Sequence, residues 1–240
     1  MMDDRGVSEV IGFVLVFSLI TMTIAIVFTA GFGGLQDAQR IEQINNVERA
    51  FDVLDTNVQE VQRHGAPSRA TEVRLSGGRL GFGEPTSVTI DVGGAVSTIE
   101  TRPLVYGNGD TEIAYELGAI VRTSDGGSVM LTDPGYVLND DRSSVPLLVT
   151  TKPSDQTSIS GHRTVLVRGS HQHTEILHAR TTTDLTLTVE SPRADAWERY
   201  FERAADQQGG SVARTGNTVE YTVTGGETYV PVTWVRLRLV

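Results

Sequence analysis

Hydrophobic and polar positions divide this chain into three stretches. From Val10 to Gln36 no residue carries a charge, and Val10 to Phe32 is the apolar heart of that stretch. Wound as a helix, the heart spans roughly 35 Å at about 1.5 Å per residue, enough to cross a hydrocarbon core of about 30 Å. Gly33 and Gly34 follow, and paired glycines weaken a helix and allow a bend. Then Ile44, Val47, Phe51, Leu54, Val58 and Val61 recur three and four residues apart, an amphipathic stripe with heptad-like spacing. Glu42, Glu48, Arg49, Asp52, Asp55, Glu60 and Arg63 fill the other faces. The helix is expected to end near His64-Gly65, with Pro67 closing it. Spacing alone does not separate packing on the chain's own domain from a coiled coil between chains.

From Thr71 the period becomes two. Glu72–Leu75 and Arg79–Phe82 flank Ser76-Gly77-Gly78, which predicts a β-hairpin. Further strands are predicted at Ser87–Val92, Ser97–Thr101, Glu112–Leu117, Ala119–Arg122, Ser128–Leu131, Val145–Thr151, Arg163–Val167, Asp184–Glu190 and Thr218–Thr224. At the end of the chain Trp234, Arg236 and Arg238 alternate with Val235, Leu237 and Leu239. One helix interrupts, with Ser191 as its expected cap, Pro192 in its first position and Gly209-Gly210 after its end. The predicted class is α+β. A long N-terminal helix, membrane-spanning and then amphipathic, packs on a β-rich antiparallel sandwich or barrel-like domain with one additional helix.

Composition narrows the setting. Acidic residues outnumber basic ones 30 to 20, for a net charge of −10. Lys152 is the single lysine; the other basic residues are arginines. Surface carboxylates keep a protein hydrated while strong salt screens their repulsion, and this balance resembles that of haloarchaeal proteins. No basic patch suggests nucleic acid. The absence of cysteine excludes disulfides, Cys-based zinc sites and Fe–S clusters.

The apolar segment admits three readings. As a cleavable signal peptide it is longer than usual, with Thr29-Ala30-Gly31 as its cleavage region. It also reads as a plain uncleaved anchor. Its flank supplies the third reading: Asp3-Asp4-Arg5-Gly6 is followed by Val7-Ser8-Glu9-Val10-Ile11-Gly12. This junction resembles the start of haloarchaeal type IV pilin-like proteins, which commonly read V-S-P-V-I-G after a short charged (class III) leader. Pro103-Leu104-Val105-Tyr106, Ile113-Ala114-Tyr115-Glu116 with Gly118-Ala119, and Trp197-Glu198-Arg199-Tyr200-Phe201 also look like phrases of that uncharacterised family.

The resemblance implies that a prepilin peptidase cuts between Gly6 and Val7 and leaves the apolar helix on the mature chain. Residues 1–6 would be the leader, 7–34 the transmembrane helix, 35–66 its amphipathic continuation and 67–240 an extracellular β-rich domain. Glu9 stands where the family pattern has proline, at the third mature position. The glutamate that bacterial pilins use in assembly stands at the fifth. Its assembly role therefore competes with that of an acidic residue at the membrane–water boundary. Lipid, the peptidase and other pilin-like subunits are the implied partners.

Candidate chemistry is sparse. Gly107-Asn108-Gly109-Asp110 fits the G-x-G-D of membrane aspartyl peptidases, but glycine and aspartate are also what turns use. His171 and His173 would share one face of a strand, with His178 nearby, without a third ligand at metal-site spacing. Asp125-Gly126-Gly127 and Asn139-Asp140-Asp141 lack the alternating acids of a calcium loop. Trp197, Tyr200 and Phe201 form a ligand-binding cluster or, far more commonly, a helix-packing face. No motif supports an enzyme, a metal or a cofactor. The expectation is a pilin-like, single-pass cell-surface protein, with an anchored receptor or adhesin that never assembles as the alternative.

Overall fold

Apolar residues followed by stripe-spaced ones wind into α1 (Asp4–His64), helical through Gly33 and Gly34. The structure, a computed structural model, describes residues 4–155 and 158–240, with the side chains of 4–9, 31–33, 36–37, 64 and 180–181 left out. Two compact units divide the chain, Met1–Asn45 and Asn46–Val240. In the first, Val10–Ala30 forms a helical stretch long and apolar enough to cross a membrane, and none of it is buried.

In the second unit the remaining part of α1 lies on a β-rich body. Its strands are β1 (Ser68–Phe82), β2 (Thr86–Val92), β3 (Ala95–Thr101), β4 (Leu104–Asn108), β5 (Thr111–Glu116), β6 (Ala119–Ser124), β7 (Gly127–Thr132) and β8 (Val137–Leu138). They continue as β9 (Arg142–Ser144), β10 (Leu147–Thr151), β11 (Ser158–Thr182) and β12 (Leu185–Glu190). After α2 (Ala194–Gln208) come β13 (Ser211–Thr215), β14 (Thr218–Val223) and β15 (Glu227–Leu239). The fold is α+β. A ten-stranded sheet runs β7-β6-β5-β4-β1-β11-β15-β9-β8, with β10 also on β15, and a five-stranded sheet runs β13-β14-β12-β2-β3. Most pairings are antiparallel, but β15 pairs in parallel with both β9 and β10, so the large sheet is mixed.

Two apolar layers hold the body together. On one face of the large sheet, Val47, Phe51, Leu54, Val58 and Val61 of α1 are all buried. Asn57 donates to the Thr71 hydroxyl at 2.8 Å, and Gln62 donates to the Pro146 carbonyl. The stripe therefore packs on the chain's own sheet. The other layer joins Val88 and Ile90 of β2, Leu187 of β12, Val149 of β10, Val232 of β15, and Trp197 and Phe201 of α2. Burial along β15 shows the change between layers. Val230 and Val232 belong to the second layer, while Val235, Leu237 and Leu239 are buried but stand outside it.

Three local expectations are corrected. Ser76-Gly77-Gly78 is not a hairpin turn, because β1 runs through it and pairs with β11 on both sides of a bulge. Both glycines have positive φ, Gly77 at 100° and Gly78 at 74°. A Cβ on Gly78 would lie 2.7 Å from the Gly107 carbonyl, so the bulge lets β4 and the Tyr106 ring come close. Ser191 does not cap α2. Arg193 holds the cap position without a side-chain cap, while the Ser191 hydroxyl accepts from the Arg193 N–H at 3.1 Å. Arg163–Val167 is only part of β11, which continues to Thr182 along β15.

Candidate functional site

The residues singled out for processing and assembly, Gly6, Val7 and Glu9, lie in the helical backbone of α1, but their side chains fall outside the described residues. Just beyond them the chemistry is clear. Every described side chain from Val10 to Ala30 is exposed, including Phe13, Phe17, Ile24 and Phe28. The hydroxyls of Thr21, Thr23 and Thr29 donate to the carbonyls of Phe17, Leu19 and Ala25, each at 2.8 Å. These polar groups are satisfied inside the helix, as a segment surrounded by hydrocarbon requires. An apolar N-terminal helix of this kind is a membrane anchor or a signal sequence.

The other candidate motifs resolve into architecture. Gly107 and Asn108 belong to β4, and Gly109-Asp110 make the two-residue turn into β5, with Gly109 at φ 62°. Asp125 and Gly126, both at positive φ, make the turn between β6 and β7. Asn139 turns its Oδ1 back onto the N–H groups of Asp141 and Arg142, an Asx turn. A bulge at Gln172 overturns the shared face of His171 and His173. The two histidines pair with Val235 and Trp234, adjacent residues of β15, and therefore point to opposite faces. His171 meets Thr174, while His173 stacks on Trp234 with centroids 4.2 Å apart. Among the described residues no group of three or more histidine, aspartate or glutamate side chains is placed to hold a metal ion. Trp197 and Phe201 are fully buried, and Phe201 stacks on Tyr221, so this aromatic cluster is a packing face.

Sequence reasoning missed the most connected polar group. Glu116 is fully buried at the end of β5. One carboxylate oxygen accepts from Trp197 Nε1 at 2.6 Å and Ser191 at 2.9 Å. The other accepts from Thr86 at 2.9 Å and Arg193 at 3.0 Å. Arg193 also pairs with Glu112. With four donors, the carboxylate has its acceptor capacity filled. It fastens the start of α2 to the strands beneath it and offers no open position for chemistry. Asp55 of α1 makes a second buried contact, accepting from Tyr115 at 3.0 Å and Gln59 at 2.7 Å. Burial raises the Asp55 pKa above the usual value despite these donors, and burial together with the Asp55 charge raises that of the Tyr115 phenol.

An uncharacterised protein of Archaeoglobus fulgidus is 29% identical over 77 residues, which cover 32% of this chain. The match spans only 25% of that relative's length. The solved ywiB protein of Bacillus subtilis aligns with 68% of this chain and 99% of its own, at 11% identity and a TM-score of 0.17, a likeness too slight to carry an argument. A family model matches from residue 5 to residue 239, and the chain belongs to that family, DUF7289, a family of unknown function.

Proposed function

We propose that this chain is a pilin-like, membrane-anchored cell-surface protein of an archaeal, halophilic type, made with a class III leader and able to serve as a minor subunit of a type IV pilus-like filament. The observation that carries the reading is the wholly exposed apolar helix Val10–Ala30, with its threonine hydroxyls internally bonded. Arg5-Gly6 before it supplies the leader junction. Behind it, the buried stripe from Val47 to Val61 supports a helix shared between anchor and domain. In this reading a prepilin peptidase cuts after Gly6, Val7 becomes the N-terminus and Glu9 lies at the membrane boundary or contacts a neighbouring subunit. The β-rich domain stands outside the cell.

Mass spectrometry of the mature N-terminus, on protein taken from membranes, tests this reading. A start at Val7 is expected. Retention of Met1 would leave a plain anchor, and a start near Phe32 would identify a cleaved signal sequence and remove both membrane readings. Filament membership predicts the protein in surface material released by shear. Its absence there would favour an anchored receptor.

A further inference from the structure

Arg79 on β1, Gly107 on β4 and Glu112 on β5 stand directly opposite one another. Opposed residues of antiparallel strands point to the same face. This row therefore has a guanidinium at one end, a carboxylate at the other and no side chain between. The adjacent row is Gly81, Val105 and Ala114, small at both ends. Above these rows lies a cavity of about 550 Å³, walled by Phe82, Glu84, Arg102, Pro192 and Arg193. That volume falls within the range of about 300–1,000 Å³ usual for small-molecule sites.

The charges around the cavity are unequally engaged. Arg193 is buried and spends its guanidinium on Glu112 and Glu116. The side chains of Arg79, Arg102 and Glu84 are exposed and have no hydrogen-bond or ion-pair partner among the described residues. Two free guanidiniums at the edge of a concave surface suit a carboxylate, which each can grip with two donors. The lining glutamates disfavour a dianion such as phosphate. Arg193 already engages Glu112, sharing its one charge between Glu112 and Glu116, so an amino acid's ammonium would find only Glu84 without an ion-pair partner. Both glutamates can still accept hydrogen bonds from hydroxyls.

We propose that this cavity binds a hydroxylated carboxylic acid of the uronic-acid kind. Arg79 and Arg102 hold its carboxylate, Glu84 and Glu112 accept from its hydroxyls, and its ring lies over Gly107 against Val105 and Phe82. The site does not depend on how the chain is anchored, so its test is independent of N-terminal processing.

Gly107 makes a direct test possible. A Cβ built there meets nothing within 4 Å, and the residue is not among those of positive φ. Gly107→Leu should therefore fill the cavity and leave the fold intact. Calorimetric titration of the full-length protein in detergent should show saturable binding of glucuronate or galacturonate. Glucose, glutamate and inorganic phosphate should bind at least about tenfold more weakly, the scale of losing one hydrogen bond to a charged group. Arg79→Ala and Arg102→Ala should each weaken uronate binding by about tenfold or more on the same grounds. Gly107→Leu should abolish it with an unchanged circular dichroism spectrum and melting temperature. If Gly107→Leu misfolds, the two arginine variants decide alone, because their exposed side chains support nothing else. Failure of both uronates to bind, equal binding of glucose or phosphate, tighter binding of glutamate, or indifference to the arginine substitutions would overturn the proposal.

Discussion

Glu116 has no solvent exposure, and its partners come from two distant parts of the chain, Thr86 of β2 and Ser191, Arg193 and Trp197 at the start of α2. Removing the carboxylate strands a buried guanidinium and a buried indole N–H. Glu116→Ala should therefore cost about 3–5 kcal/mol in urea unfolding, the cost of breaking a buried charge pair. In the sequence Glu116 stands only within a family-like phrase, and its role is not legible there because its partners are brought together only by the fold. Asp55 carries a pH prediction. Its carboxyl binds a proton more tightly folded than unfolded, since burial raises its pKa above 3.8. Its contribution to stability is therefore fully present at pH below 3.8 and is lost as pH rises through the raised value. Asp55→Asn keeps an acceptor for Tyr115 without a charge. Relative to wild type, it should gain stability as pH rises from 3.8 to neutrality. Urea midpoints of the two proteins across that range are the check, and a constant difference would refute the argument. Leu117, at φ 52° and fully buried, sits in the turn beside Glu116. A left-handed leucine persists only where packing over-determines it, and here the Tyr136 hydroxyl donates to its carbonyl at 3.2 Å.

Elements show where periodicity is informative and where it stops. The stripe of α1 was legible because its positions repeat with a helix turn. Phe51 is fully buried while Val53 is 53% exposed. Phe51→Ala should then cost about 3–5 kcal/mol, and Val53→Ala should stay within about 0.5 kcal/mol, both read by thermal or urea unfolding. Strands such as β2 and β12 were legible for the same reason, since alternate residues are buried along each. Bulges were not legible. Ser76-Gly77-Gly78 has the composition of a turn, and only the continuous partner β11 makes it a bulge. Gly78→Ala places a Cβ against the Gly107 carbonyl at positive φ, so it should destabilise by more than about 1 kcal/mol. The histidine pair failed for the same reason, because one extra residue at Gln172 reverses the face of His173 relative to His171.

At the scale of the molecule, the second unit contains the α1 residues that cover one face of the large sheet. A chain starting at Asn46 should fold cooperatively without the apolar segment. One starting at Ser68 should not, because Val73, Leu75, Val165 and Leu237 would lose cover. Near-ultraviolet circular dichroism and a thermal melt distinguish the two. With a net charge of −10, the folded chain should also melt higher as salt screens its carboxylates. By itself the sequence determined the apolar span, the amphipathic stripe, the α+β class and most strands, because burial with a fixed period is a local property of the chain. Tertiary structure alone decided the bulges, the parallel pairings of β15, the saturated Glu116 and the row of Arg79, Gly107 and Glu112. Each of these depends on which distant strand lies alongside, and no local spacing encodes that choice.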